Sequence, residues 1–209
     1  MHLPAPNDTQ FELPPAGTFL AMCYRIIDLG TQDTTYMGQA KRQHKIQVGW
    51  ELPEEKMADG RPFTISQRYT WSMSEKAALR RDLETWRGVP FKDSDFGPGG
   101  FDIQNIIGKA CLLTVVHTEK NGKHYANIKA IARLMKGMQA PQKTENEQVY
   151  LWLSDDRWRP DVFHKLSDGM KQAIMASPEY KTLVNGHGDE PPPIDADRYH
   201  EEPAGEIPF

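Results

Sequence analysis

Cysteine is scarce in this chain of 209 residues: there are two, Cys23 and Cys111, far apart and without CxxC spacing. A structural zinc site needs four ligands, and no Cys/His cluster supplies them. Each cysteine lies in an apolar, strand-like run and reads as a reduced core residue. Long hydrophobic runs are also missing. None approaches the ~18 apolar residues of a membrane-spanning helix. Met1-His2-Leu3-Pro4 has neither the basic start nor the apolar stretch of a signal peptide, so a cytoplasmic location is expected. Enzyme motifs are lacking too: neither GxxxxGK[ST] nor HExxH occurs. Asp28, Asp102 and Glu119 are not brought together by their spacing and read as strand-end and surface carboxylates. His44, His117 and His124 have no evident orienting carboxylate or cysteine partner. The expectation is a protein that is not an enzyme and carries no cofactor and no metal.

What is present is a folded body with irregular ends. Hydrophobic residues make up 38%, and proline and glycine contribute 16 each. The formal charge of −4 is unevenly spread. From His187 to Phe209 seven acidic residues stand against one arginine, so the first 186 residues carry about +2. Residues 1–16, with four prolines, read as an arm. Gly17 to Leu29 is a long strand, apolar on both alternations, and Gly30 to Ala40 a polar loop. Lys41 to Leu52 is a second strand and Phe63 to Trp71 a third. Ser72 and Glu75 match a capping box opening a helix. Leu79, Leu83 and Trp86 share its buried face, and Gly88 stops it. Ala110 to Thr118 and Tyr125 to Leu134 are two further strands joined at an Asn121-Gly122 hairpin turn. Residues 136–160 form a connector containing "VYLWL". A second helix is expected over Asp161 to Ala176, with Phe163, Leu166, Met170 and Ile174 on one face.

Three strands, a helix, then two strands fit a mostly-β OB-fold: a five-stranded Greek-key barrel with a helix between strands three and four. The expected organisation is an arm (1–16), an OB-fold nucleic-acid-binding domain (17–135), a connector with helical extension (136–185) and a disordered acidic tail (186–209). An OB barrel places nucleic acid across strands two and three. Non-specific single-strand binding combines cations for phosphates with aromatic faces for bases. Strands two and three and the adjoining loops offer Lys41, Arg42, Lys45, Arg61 and Arg68 beside Tyr36, Trp50, Phe63, Tyr69 and Trp71. Lys109, Lys123, Tyr125 and Lys129 extend the path along strands four and five. A core role competes at Trp50, which alternates with Ile46 and Val48, and at Phe63 beside Ile65. The small positive excess and the lack of a reading helix favour single strands over duplex.

The segments "GTFLAMCYRIIDLG", "EKAALRRDLETWRG", "FDIQNIIGKACLLTVVH" and "YANIKAI" resemble a group of phage-encoded OB-fold single-stranded DNA-binding proteins. The last residues, Glu206-Ile207-Pro208-Phe209, resemble the C-terminal tip of bacterial single-stranded DNA-binding proteins. Here Ala204-Gly205 interrupts the acidic run that precedes that tip. The resemblance implies single-stranded DNA binding and protection in phage replication or recombination, in the host cytoplasm. It also implies that the tip recruits replication or recombination proteins. Homo-oligomerisation stays open. So do three alternatives: an RNA-binding OB protein, an adaptor that binds no nucleic acid, and a metal-dependent nuclease.

Overall fold

The computed structural model describes residues 12–36 and 38–187. Six strands form one sheet: β1 (Gly17–Tyr36), β2 (Gln39–Lys56), β3 (Pro62–Thr70), β4 (Ala110–Lys120), β5 (Lys123–Ala132) and β6 (Val149–Leu151). The antiparallel path runs β3-β2-β1-β4-β5, and β6 lies parallel to β1. Five of the strands, and the helix between β3 and β4, appear in the expected order, but β6 lies in the stretch expected as a connector, and the barrel is not formed. No ladder joins the outer strands β3 and β5, so the sheet is open and the OB-fold barrel is corrected to an open mixed sheet. Local alternation reports strands; closure is a long-range pairing that alternation cannot report.

β1 organises the sheet. Its first part, Gly17 to Met22, pairs with β4, and Arg25 to Ile27 pairs with β6. β2 accompanies it from Met22 to Tyr36, with irregularities at Cys23/Arg25 and Asp28/Gly30. Such bulges turn the strand's side chains from one face to the other. Ala21, Cys23 and Ile26 therefore enter one core, with Trp50, Leu113 and the α1 residues. Ile27 and Leu29 enter a second core beneath the C-terminal helices. This explains the double apolar alternation of β1. In the polar stretch expected as a loop, Gly30 to Tyr36 instead pair with Gln39 to Lys45 as the outer half of a long β1–β2 hairpin.

Helix α1 (Ala78–Arg87) buries Leu79, Leu83 and Trp86 as expected, and Gly88, at φ 74°, closes it by donating its N–H to the Glu84 carbonyl. The capping box is not formed: the helix starts after Ala77 with no side-chain cap, and Ser72 bonds Ser74 instead. Asn121 and Gly122 both take positive φ, the geometry of the tight β4–β5 turn. The single helix expected over 161–176 is broken into α2 (Pro160–His164) and α3 (Asp168–Ala176), followed by α4 (Pro178–His187). Phe163, Leu166, Met170 and Ile174 nonetheless line the second core together.

Glu51, fully buried on β2, is a buried anchor. Its carboxylate accepts the backbone N–H groups of Glu145 and Asn146 at 2.9 and 2.8 Å, and the Asn146 amide. Three donors offset the cost of burying the charge and pin the connector onto the sheet.

Trp50 is 1% exposed and packs on Trp86, whereas Trp71 is 38% exposed. Trp50→Ala is expected to cost about 3–5 kcal/mol. Trp71→Ala is expected to cost about 1 kcal/mol or less. Urea midpoints followed by far-ultraviolet circular dichroism check this, and equal losses would contradict the placement of the two rings.

Candidate nucleic-acid interface

The end of β3 meets the interior of β2 where the Trp71 N–H donates to the His44 carbonyl at 2.7 Å. β6 lies beside β1 with Tyr150 opposite Ile26, and the chain then passes through Trp152. These elements assemble a group of four rings with Trp152 at its centre. Tyr150 stacks at 6.0 Å and 10°, His44 at 6.0 Å and 22°, and Trp71 meets it edge-on at 4.8 Å. Arg157 lies 5.7 Å from the Tyr150 ring centre, donates to its hydroxyl at 3.1 Å and reaches Asp102 at 3.5 Å. Trp71 is the most open ring; Tyr150, Trp152 and His44 are half-buried.

A buried carboxylate holds this group from behind. Asp28, 0% exposed, accepts from Gly30 N–H at 2.8 Å, Leu153 N–H at 3.2 Å and His44 Nε2 at 2.6 Å. The other ring nitrogen, Nδ1, faces Glu179 of α4 at 3.7 Å. The hydrogen bond to Asp28 is the main cause that raises the His44 pKa, and the two nearby carboxylate charges add to it against partial burial. Burial pushes Glu179 upward, but the Thr31 hydroxyl and N–H and the His44 charge outweigh it and hold the carboxyl low. Burial raises the Tyr150 hydroxyl, partly opposed by Arg157. The earlier view that His44 lacks an orienting carboxylate is thus corrected, because a strand bulge brings Asp28 to it.

The other face of the β2–β3 ladder is polar. Lys45 donates to Gln43 at 2.8 Å and Thr70 at 2.9 Å, Gln47 to Ser66 at 2.8 Å, and Arg68 to Gln47 at 3.3 Å. Arg25, Arg68 and Lys45 occupy three successive same-face rows of the register: Arg25↔Gly49↔Ser66, Ile27↔Gln47↔Arg68 and Lys45↔Thr70. Such rows are about 6.8 Å apart. Gly49 makes room for Arg25, since a Cβ there would lie 2.8 Å from the arginine Cγ.

The aromatics expected to stack separate into two sets. Trp50, Phe63 and Tyr69 are core residues at 1%, 8% and 3% exposure, which corrects their assignment to bases. They share the alternation of Ile46, Val48 and Ile65, and the Tyr69 hydroxyl is engaged with Asp82 at 3.0 Å. Trp71 remains at the surface. Tyr36 ends β1 at the hairpin tip, paired with Gln39. Lys41 and Arg42 are exposed on that hairpin, Arg42 near Asp33 at 3.3 Å. Arg61 is held by Asp59 within the preceding turn at 2.6 Å. Lys123, Tyr125 and Lys129 belong to the β4–β5 hairpin, and Lys109 precedes β4; the register does not join them to the Trp71 group. Glu206, Ile207, Pro208 and Phe209 lie outside the described residues. The sequence reading missed Tyr150, Trp152, His44 and Arg157. The signal for the first two was the alternation within "VYLWL", where Tyr150 and Trp152 oppose Val149, Leu151 and Leu153.

Among the described residues no cluster of three His, Cys, Asp or Glu side chains is placed to hold a metal ion. No helix among them is long and apolar enough to cross a membrane. No family model matches the chain, and no curated protein matches it.

Because the folded-state pKa of His44 lies above its ordinary value, its stabilising contribution is complete below about pH 6.5. It is lost as pH rises through the raised value. Urea midpoints should therefore fall over that window in the native chain. The dependence should flatten in His44→Gln. A native pH slope retained in that variant would assign it to another group. Asp28→Ala, which leaves His44 and two buried N–H groups without their acceptor, should cost about 3–5 kcal/mol by the same measurement.

Proposed function

We propose that this chain binds single-stranded DNA without catalysis and largely independently of sequence, protecting it during phage replication or recombination. The carrying observation is the open Trp71 ring at the margin of the Tyr150–Trp152–His44 group, next to Thr70, which holds the Lys45 ammonium. Bases stack at the aromatic group, each contact contributing about 1–3 kcal/mol. Lys45, Arg68 and Arg25 meet phosphates on the polar face. Phosphate neutralisation releases counterions and makes the affinity salt-dependent. The reading does not require a barrel; it rests on the rings gathered where β3 ends beside β2 and β6, and on charges along β1, β2 and β3. The resemblance of Ile207-Pro208-Phe209 to the bacterial tip supports recruitment of replication proteins, in a host cytoplasm.

Fluorescence anisotropy with a labelled oligo-dT of ~30 nucleotides tests this, against a duplex and an oligo-U of the same length. Tight, salt-sensitive binding to dT is expected, with weaker binding to both competitors. Trp71→Ala should weaken binding ~5- to 150-fold, corresponding to about 1–3 kcal/mol. Lys45→Ala and Arg68→Ala should each lower the slope of log affinity against log salt by about 0.7. Absence of dT binding at low salt would overturn the proposal, and a preference for oligo-U would replace DNA with RNA.

A further inference from the structure

A cavity of about 460 Å³ opens between α1, the Ile103–Ile106 turn, the start of β4 and the end of β5. Its apolar surface comes from Trp86, Phe101 and Leu134, and its rim from Arg87, Lys109 and Arg133. No acidic residue lines it among the described residues. Arg87 lies 5.3 Å over the Phe101 ring, and shares its charge with Asp95 at 3.4 Å. Lys109 and Arg133 are exposed, and no carboxylate pairs with either among the described residues. Met135, 65% exposed, continues the apolar surface beside Leu134. An apolar floor under a cationic rim selects an anionic segment that also carries apolar side chains.

The chain contains such a segment. Seven acidic residues lie between Asp189 and Glu206, against Arg198 alone, and Ile207-Pro208-Phe209 follows them directly. We infer that residues 201–209 dock in this cavity of the same chain. Ile207 and Phe209 cover Trp86, Phe101 and Leu134. The carboxylates of Glu201, Glu202 and Glu206 face Arg87, Lys109 and Arg133. Pro208 limits the backbone freedom lost on docking. Reach is sufficient. The 20 residues from His187 to Ile207 span up to ~70 Å extended. A body of this size has a radius of gyration of about 16 Å. Lys109 thereby takes a different role from the phosphate contact expected of it. The inference stands on this cavity and on charge complementarity, independently of the nucleic-acid reading.

The test places a nitroxide on the full-length chain through Ala204→Cys and records amide and indole resonances at low salt. Cys23 and Cys111 are both buried, which directs labelling to position 204. Selective broadening at Trp86, Phe101, Lys109, Arg133 and Leu134 is expected. It should disappear in high salt, in Lys109→Glu, in Arg133→Glu and in a chain carrying Ile207→Ser with Phe209→Ser. Two separate exposed rim positions keep the test decisive if one variant folds poorly. No selective broadening, or broadening centred on Lys45 and Trp71, would overturn the inference. Mixing nitroxide-bearing unlabelled chains with isotope-labelled chains lacking the nitroxide should give none; broadening there would assign the docking to a second copy and overturn the same-chain site.

Discussion

The fully buried Asp28 carboxylate is the contact on which the arrangement of the candidate interface depends. A charge without water must collect donors, and Asp28 finds them on three separate pieces of chain. Gly30 N–H closes the bulge in β1, Leu153 N–H fixes the chain leaving β6, and His44 comes from β2. The consequence reaches the surface. Trp152 lies against the His44 ring because its neighbour Leu153 and His44 both bond the same carboxylate. Tyr150 and Trp71 then pack on Trp152. Glu51 acts similarly one stretch earlier, holding Glu145 and Asn146 on β2. The connector, which has little regular structure, is thus positioned by two buried acids.

This division explains what could be read from sequence. Strands and helix faces announce themselves through local spacing, as at Leu79, Leu83 and Trp86 or at Asn121-Gly122. Trp50, Phe63 and Tyr69 were legible as one face of the β2–β3 pair; that the face is the core depends on α1 covering it, a long-range fact. Tyr150 and Trp152 left only a brief signal, the alternation within "VYLWL". β6 has three residues and ends just before Trp152, and so short a strand gains significance only from its place beside β1. The outer β1–β2 hairpin escaped because it extends beyond the core. Without an apolar face its alternation vanishes into polar residues, and strand resembles loop. The bulge that brings Asp28 to His44 leaves no pattern in composition or spacing.

The chain's charge also takes on meaning from position. A body of about +2 attached to a segment of −6 invites the idea that the segment covers whatever cationic surface the body offers. That surface is divided. Lys45, Arg68 and Arg25 lie on the β2–β3 face, whereas Arg87, Lys109 and Arg133 surround an apolar cavity beside α1. Charge alone does not choose between them, because exposed ion pairs contribute at most about 1 kcal/mol each and are screened beyond about 8–10 Å. Apolar burial does choose: Ile207 and Phe209 gain about 1.5–3 kcal/mol each only where an apolar floor receives them. The polar face of β2 and β3 has no such floor, and its Gln43, Gln47, Ser66 and Thr70 suit a hydrated, phosphate-bearing ligand instead. A segment seated beside α1 keeps its carboxylates away from Lys45 and Arg68. Under the two proposals, acidic segment and single-stranded DNA would use different surfaces, and any competition between them would act by screened charge at a distance rather than by shared contacts.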